Sequence, residues 1–134
     1  MTAIDGSDLE WGRQITAARA VMAAHLVALN AENPDVLAAT MHFPHYRLSG
    51  GVMRVWETPD TYLADFHKRA SGEWHHTRWD SIDVLMASVD KVHLDVRFTR
   101  FRTDDSVLAQ HRSLWVISEL KNVWAAQLRS SFAP

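Results

Sequence analysis

The stretch Val92-His-Leu-Asp-Val-Arg-Phe98 indicates how most of the chain folds. Its apolar residues alternate with polar ones, and this two-residue period is typical of a β-strand with one buried face. Polar segments at 102–105 and 119–122 follow where hairpin turns are expected. Residues 74–132 are therefore predicted to form four consecutive antiparallel strands.

Four-residue loops at these turns give the strands a register. It places Val96 opposite His111, and His111 opposite Ser130. One face of the sheet then carries His111 and a set of apolar residues: Val92, Leu94, Val96, Phe98, Trp115, Ile117, Trp124, Leu128 and Phe132. Because a one-residue slip would turn a strand over, the agreement of three strands on one apolar face supports this register.

The composition bounds the class of protein. The 134 residues suffice for one domain, which we predict over residues 1–134. A net charge of −2 without a Lys/Arg run argues against nucleic-acid binding. No apolar run approaches the ~18 residues of a membrane span, and the first residues do not resemble a signal peptide. The absence of cysteine excludes disulfides and thiolate chemistry. We expect a cytoplasmic protein.

The residues before the strands predict three helices and a hairpin. The first helix is expected over about residues 8–31, with His25 at the edge of a stripe that recurs at helical spacing: Ile15, Ala18, Met22, Leu26 and Leu29. Asn33-Pro34 and Thr58-Pro59 are typical starts of a second and a third helix, and Pro44 ends the second. Gly50-Gly51 predicts the turn of the hairpin.

The first of the four strands changes its alternation part-way. Apolar residues first occupy even positions and then odd ones: Ile82, Val84 and Met86, followed by Leu85, Ala87 and Val89. A β-bulge near residues 84–86 explains the change. It leaves open whether Trp79 or its neighbours Arg78 and Asp80 face the covered side.

The element order predicts an α+β domain in two layers, with three helices covering one face of a twisted sheet. It resembles the nuclear transport factor 2-like superfamily, which includes ketosteroid isomerase and SnoaL-like polyketide cyclases. The resemblance spans the chain, and the stretches that carry it look similar to small bacterial members of the superfamily without assigned activity. It is carried by Arg78-Trp-Asp-Ser-Ile-Asp-Val84, the stretch from Val92 to Arg100, Ser113-Leu-Trp115 and residues 124–132.

The resemblance implies a cone-shaped α+β barrel, with three N-terminal helices and a short hairpin packed on a curved, mainly antiparallel sheet of about six strands. It also implies a deep cavity between sheet and helices, and a homodimer formed through the outer sheet surface. Catalytic members place acids, His, Tyr or Arg in that cavity. The tyrosine and two acids of ketosteroid isomerase have no recognisable counterpart here, nor does the Asp-Arg-Asp set of the related epoxide hydrolases.

Three residues are candidates for catalysis. His111 on the covered face is the predicted general base, the alternative being a core histidine bonded to Ser130. Asp80 is its predicted partner if the bulge turns it inward, the alternative being a surface carboxylate. Tyr46 is placed at the cavity mouth, the alternative being a core ring whose hydroxyl finds a partner.

A small apolar or aromatic ligand is expected, because six Trp in a domain of this size favour an apolar cavity. Its predicted contacts are His45, Trp56, Phe66, Trp79, Phe98 and Trp115. His75 and His76 would point to opposite faces of a strand and so would not bind one metal ion. We predict neither a metal site nor a cofactor.

The opposite face of the sheet is the predicted dimer surface. Asp95 lies across from Arg112 with Arg129 beside it, and Leu114 and Val116 add apolar area that needs cover.

Two hypotheses of function follow. The first is a small-molecule-binding protein acting as an isomerase, dehydratase, cyclase or hydrolase by acid–base chemistry in the cavity, without a cofactor. The second is a non-catalytic dimer that binds a ligand or a protein.

Overall fold

The computed structural model describes residues 4–69 and 72–132. Their element order is the predicted one. The helices are α1 Ile4–Asn30, α2 Pro34–Ala38 and α3 Pro59–Arg69. The strands are β1 Met41–Ser49, β2 Val52–Trp56, β3 His76–Ala87, β4 Lys91–Phe101, β5 Val107–Leu120 and β6 Val123–Ser131. No described helix is long and apolar enough to cross a membrane.

The strands form one six-stranded sheet in the order β2-β1-β6-β5-β4-β3. All neighbours are antiparallel except β1 and β6, which run parallel. The sheet is curved and open, and helices cover one of its faces. The predicted α+β fold, with helices and a hairpin on a mainly antiparallel sheet of about six strands, is therefore confirmed.

The register between β4 and β5 differs from the predicted one by two residues. Val96 lies opposite Ser113, and Phe98 lies opposite His111. The predicted four-residue loop was too short, because a register shift after Arg100 pairs Phe101 with Val107. Since side chains alternate with a period of two, this slip leaves the predicted apolar face of both strands unchanged.

The register between β5 and β6 contains a bulge that the sequence reading missed. Ile117 pairs with Ala126 and Val116 pairs with Leu128, so Gln127 is the extra residue of β6. The strand turns over at this point, which places Arg129 on the covered face and Leu128 on the outer face. The predicted faces of Arg129 and Leu128 were wrong, and Phe132 is 65% exposed rather than part of the core.

Two bulges interrupt β3. The one predicted near residues 84–86 is confirmed by the register shift between Val84 and Met86. A second shift between Trp79 and Ser81 makes Asp80 an extra residue. Trp79 pairs with Phe98 and so faces the helices, which settles the alternative that the alternation had left open.

Helix α1 lies over the covered face of β3, β4 and β5. Its buried stripe is Ile15, Ala18, Met22, His25 and Ala28. The side-chain amide of Asn30 fixes the end of the helix to β3, since it donates to the Thr77 carbonyl and accepts from the Thr77 amide, both at 2.8 Å. A second core forms around Tyr62 of α3 and includes Ala28, Leu37, Met41, Trp56 and Phe66.

The boundary between α2 and β1 lies earlier than predicted. Helix α2 ends at Ala38, so that β1 begins at Met41 and contains Pro44. Proline has no amide hydrogen to donate to a ladder, and the pairing of β1 with β6 shifts between Met41 and Tyr46.

Candidate functional site: a cavity between α1, α3 and the sheet

A cavity of about 590 Å³ lies between the covered face of the sheet and the helices. Small-molecule sites in proteins occupy ~300–1,000 Å³, so its size suits a small ligand. Its apolar wall consists of Leu29, Val52, Tyr62, Phe66, Trp74, Trp79, Phe98, Leu108 and Trp115. Its polar wall includes His25, Arg47, Ser49, Arg54, Glu73, Thr77, Arg100, Ser113, Arg129 and Ser131.

His25 lines this cavity from the C-terminal part of α1. Its Nδ1 lies 2.8 Å from Oγ1 of Thr40, and Oγ1 of Thr40 lies 2.6 Å from the carbonyl oxygen of Leu37. A carbonyl only accepts, so the single hydroxyl proton of Thr40 goes to Leu37. Thr40 must then accept from Nδ1–H of His25. This arrangement fixes the tautomer and leaves the lone pair on Nε2.

The imidazole of His25 is neutral at physiological pH. Burial, together with the positive charge of Arg129 and the neighbouring His45, lowers its pKa from 6.5 to about 3. Nε2 has no hydrogen-bond partner among the described residues. The site therefore offers a proton acceptor beside the cavity.

Two tryptophans hold the His25 ring. The Trp79 ring is nearly parallel to it, with centroids 6.4 Å apart and 13° between planes, and its Nε1–H donates to the Met22 carbonyl at 2.9 Å. The Trp115 ring meets it edge-on at 5.1 Å, while its Nε1–H donates to Ser113. Both indole nitrogens are thus engaged, and the rings form the aromatic wall beside Nε2.

Four arginines also line the cavity: Arg47, Arg54, Arg100 and Arg129. Arg54, Arg47 and Arg129 lie at paired positions of β2, β1 and β6. The Arg129 guanidinium carbon lies 5.0 Å from the centre of the Trp115 ring. Arg100 lies over Phe98 at 5.4 Å. The cavity is consequently lined by guanidinium groups that lie against its aromatic wall.

Four of the residues predicted to contact a ligand line this cavity: Phe66, Trp79, Phe98 and Trp115. His45 and Trp56 do not, because both are buried in the core around Tyr62. His45 lies with its Nδ1 3.1 Å from the carbonyl oxygen of Ala126. Their predicted place on the cavity wall was wrong.

Tyr46 and Asp80 both lie on the outer face. Tyr46 pairs with Val55 and Leu128, which places it opposite to the cavity side. Asp80 accepts a hydrogen bond from Thr99 and forms an ion pair with Arg78 at 2.7 Å. Burial alone would raise the pKa of Asp80, but the hydrogen bonds from Thr99 and Arg78 outweigh it and lower the pKa. Asp80 is thus the surface carboxylate of the alternative interpretation, and Tyr46 lies on the face opposite to its predicted place at the cavity mouth.

His111 lies on the covered face next to Phe98, at 5.8 Å between ring centroids, but outside the cavity lining. Burial and the charge of Arg100 lower its pKa. His111 and Asp80 both border a shallow, open depression together with Arg78, Arg97, Phe98, Gln110 and Arg112. No hydrogen bond joins them in the described part of the chain, so the predicted His–Asp pair is not formed.

Sequence reasoning missed the importance of His25, although the signal was present. Ile15, Ala18, Met22 and His25 follow one another at alternating spacings of three and four residues, which is the centre of a helical stripe rather than its edge. A polar residue at such a position needs a buried partner, and Thr40 provides it.

The histidine pair also differs from its prediction. His75 precedes β3 instead of lying within it, and the Nδ1 atoms of His75 and His76 are 3.0 Å apart. Within residues 4–69 and 72–132 no group of three or more His, Asp or Glu is arranged to hold a metal ion.

No protein-family model and no curated protein matches the sequence. Solved structures match it in fold. An NTF2-like protein of unknown function from Shewanella oneidensis superposes with a TM-score of 0.74 at 14% identity, covering 89% of this chain and 98% of that one. A ketosteroid isomerase-like protein from Erwinia carotovora gives 0.66 at 18% identity, covering 90% and 98%.

A hexachlorocyclohexane dehydrochlorinase gives a TM-score of 0.66 at 15% identity, covering 93% of this chain and 88% of that one. Identities this low carry no conclusion about activity, because one fold hosts many functions. The element order, the sheet topology and these superpositions agree, and the chain has the nuclear transport factor 2-like fold.

Proposed function

We propose that the protein binds a small molecule with a flat apolar part in this cavity and transfers a proton on it, with Nε2 of His25 as the acceptor. The observation that carries the proposal is the neutral His25 ring, fixed through Thr40 in the tautomer that leaves Nε2 free beside the aromatic wall. His25 takes the role that the sequence had suggested for His111.

The chemistry follows from a single acceptor. Nε2 removes a proton from a C–H or O–H group, and the electron pair stays on the ligand. If the proton returns at another atom, the outcome is an isomerisation; if the electron pair expels a leaving group, it is an elimination. Removal of hydrogen and chloride, the reaction in the name of the dehydrochlorinase with this fold, is of the second kind.

Base strength limits the intrinsic rate. A base whose pKa is about 3 removes protons less readily than a free imidazole. In compensation, Nε2 remains unprotonated through the whole neutral and mildly acidic range. A reaction driven by His25 is therefore expected to keep its rate down to about pH 5, where a solvent-exposed imidazole is already charged.

The probe for this proposal is 5-nitrobenzisoxazole, a flat aromatic whose ring opens when a base removes its C–H proton. We expect the protein to accelerate the opening and His25→Asn to lower that rate by about 100-fold, the lower range of general-base contributions. Asparagine retains an N–H where Nδ1 stood, so that the bond to Thr40 persists while the Nε2 lone pair is lost. Product absorbance measures the rate.

His111→Asn is the matched control, since His111 lies outside the cavity lining, and its rate should stay within about twofold of the wild type. Equal rates for wild type and His25→Asn would remove His25 from the chemistry. Binding of the probe without any acceleration would instead favour a ligand-binding protein without catalysis.

We further propose that the outer face of the sheet pairs with a second copy of the chain. Leu128 and Leu114 lie there on neighbouring strands, each 38% exposed, and three more exposed apolar residues adjoin them: Leu48, Met53 and Val55. Asp95 supports this surface, because it is buried and binds the Arg112 guanidinium through both oxygens. Those hydrogen bonds lower the pKa of Asp95.

The double replacement Leu114→Asp and Leu128→Asp is expected to convert a dimer into a monomer. Each chain would then bury two carboxylates in the interface, opposite the two carboxylates of the second chain. Sedimentation velocity measures the change. Val27→Asp, on the exposed side of α1 and 70% exposed, is the control that should leave the dimer intact. A wild-type protein that is monomeric at about 100 µM, well above the dissociation constant of a standard interface, contradicts the proposal.

A further inference from the structure

A row of arginines on three adjacent strands lines the cavity. Arg47 of β1 pairs with Arg54 of β2 on one side and with Arg129 of β6 on the other. Neighbouring strands lie about 4.8 Å apart, so the three side chains leave the sheet side by side on the same face. All three line the cavity, and Arg47 is only 9% exposed.

Such a row opposes folding. Like charges at directly opposed positions of a sheet destabilise it. Asp65 lies 3.5 Å from Arg54, and Glu73 at the wall is bound to Arg102 outside the cavity. With Arg100, four guanidinium groups line the cavity and Glu73 is the one carboxylate among its described lining residues.

A second row, of serines, runs beside the arginines. Ser49 of β1 pairs with Ser131 of β6, and Ser131 pairs with Ser113 of β5. All three line the cavity, two positions along their strands from Arg47, Arg129 and Trp115. Guanidinium forks and hydroxyl groups are the donors that bind planar oxyanions well.

The geometry points to an organic acid as the ligand of this cavity: an anionic oxygen group, such as a carboxylate, is held between Arg47, Arg54 and Arg129 beside the serine row, while the flat apolar part lies against Trp115 and Trp79. The inference rests on the proposed function and names the chemical class of its ligand. It explains why the cationic row adjoins the aromatic wall, since one molecule spans both.

Charge at the arginine row also affects the base. The positive charge of Arg129 is one cause of the low pKa of His25. An anion bound beside Arg129 offsets that charge and raises the pKa of His25, which makes Nε2 a stronger acceptor. The anionic ligand would thus increase the basicity of the group that acts on it.

The test compares two probes of equal shape, 2-naphthoate and its neutral analogue 2-naphthamide, by titration of tryptophan fluorescence and by calorimetry. We expect the wild-type protein to bind the carboxylate at least tenfold more tightly than the amide. In Arg129→Gln and Arg54→Gln that preference should fall to about threefold or less, while affinity for the amide stays unchanged. Arg129→Lys should restore part of the preference.

Arg97→Gln is the control, because Arg97 lies on the outer face opposite Arg112. It should keep the full preference for the carboxylate. Equal affinity of the wild-type protein for both probes would overturn the anionic ligand and leave the proposed cavity ligand in place. Failure of both probes to bind would overturn both proposals. The wild-type comparison needs no variant and is therefore independent of any effect on folding.

Discussion

Lowering the pH from about 7 to about 4.5 is expected to remove roughly 3 kcal/mol of stability through His25 alone. The imidazole is 2% exposed, and burial with the charge of Arg129 lowers its pKa to about 3. Between that value and 6.5 the unfolded chain binds a proton at this position and the folded chain does not. Stability is therefore complete above pH 6.5 and declines by about 1.4 kcal/mol per pH unit below it.

Urea unfolding of wild type and His25→Asn across this range isolates the contribution. His93 and His111 also have lowered pKa values, caused first by burial, so that both proteins lose some stability on acidification. Only the wild type should show the additional decrease of the unfolding free energy with falling pH that His25 causes. Parallel pH dependences of the two proteins would mean that folding does not lower the pKa of His25, which would contradict the expected constancy of the reaction rate down to about pH 5.

Replacing Trp115 by alanine is expected to cost about 3–5 kcal/mol, the range for truncating large buried aromatic side chains. The ring is 3% exposed, meets His25 edge-on and lies below Arg129. Its loss also deprives the buried Ser113 hydroxyl of the indole N–H. Trp115→Phe, which keeps most of the ring, should cost about 1–2 kcal/mol.

Chemical denaturation measures these differences, with Trp124→Ala as the comparison because Trp124 is only half-buried at the edge of the same core. Equal losses for Trp115→Ala and Trp124→Ala would contradict the central place of Trp115 in the cavity wall. A wild-type 2-naphthoate affinity retained in Trp115→Ala would separately argue against an aromatic ligand at this wall.

The sequence predicted the fold because alternation and helical spacing report burial directly. Val92, Leu94 and Val96 face the helices as expected, and a register wrong by two residues did not change their face. A bulge does change the face of the sheet on which the following side chains lie. Nothing in the residue types marks Gln127 or Asp80 as the extra residue of a bulge. Each bulge altered one functional assignment, bringing Arg129 inward and keeping Asp80 outward.

The prediction of the catalytic residues depended on the positions of bulges more than the prediction of the aromatic wall did. Large apolar side chains such as Trp79 and Phe98 are buried wherever the strand allows, so four of six predicted ligand contacts line the cavity. Tyr46 was chosen from its place at the junction of a helix and the first strand, which does not determine the face to which its side chain points. His25 was accessible from helical spacing, but its tautomer depends on Thr40, whose contact with α1 no sequence pattern predicts.

The position of β6 between β1 and β5 has a consequence for the order of events in folding. Helices α1 to α3 and the β1–β2 hairpin precede it in the chain, yet β1 joins the sheet only through β6. The sheet is therefore completed by contacts of high sequence separation, such as that between His45 and Ala126, which make folding slow. During synthesis, the edge of β1 that pairs with β6 has no strand partner until β6 has been synthesised. Arg129, the last of the three arginines in the row to be synthesised, lies on β6 and comes beside Arg47 only when β6 pairs with β1.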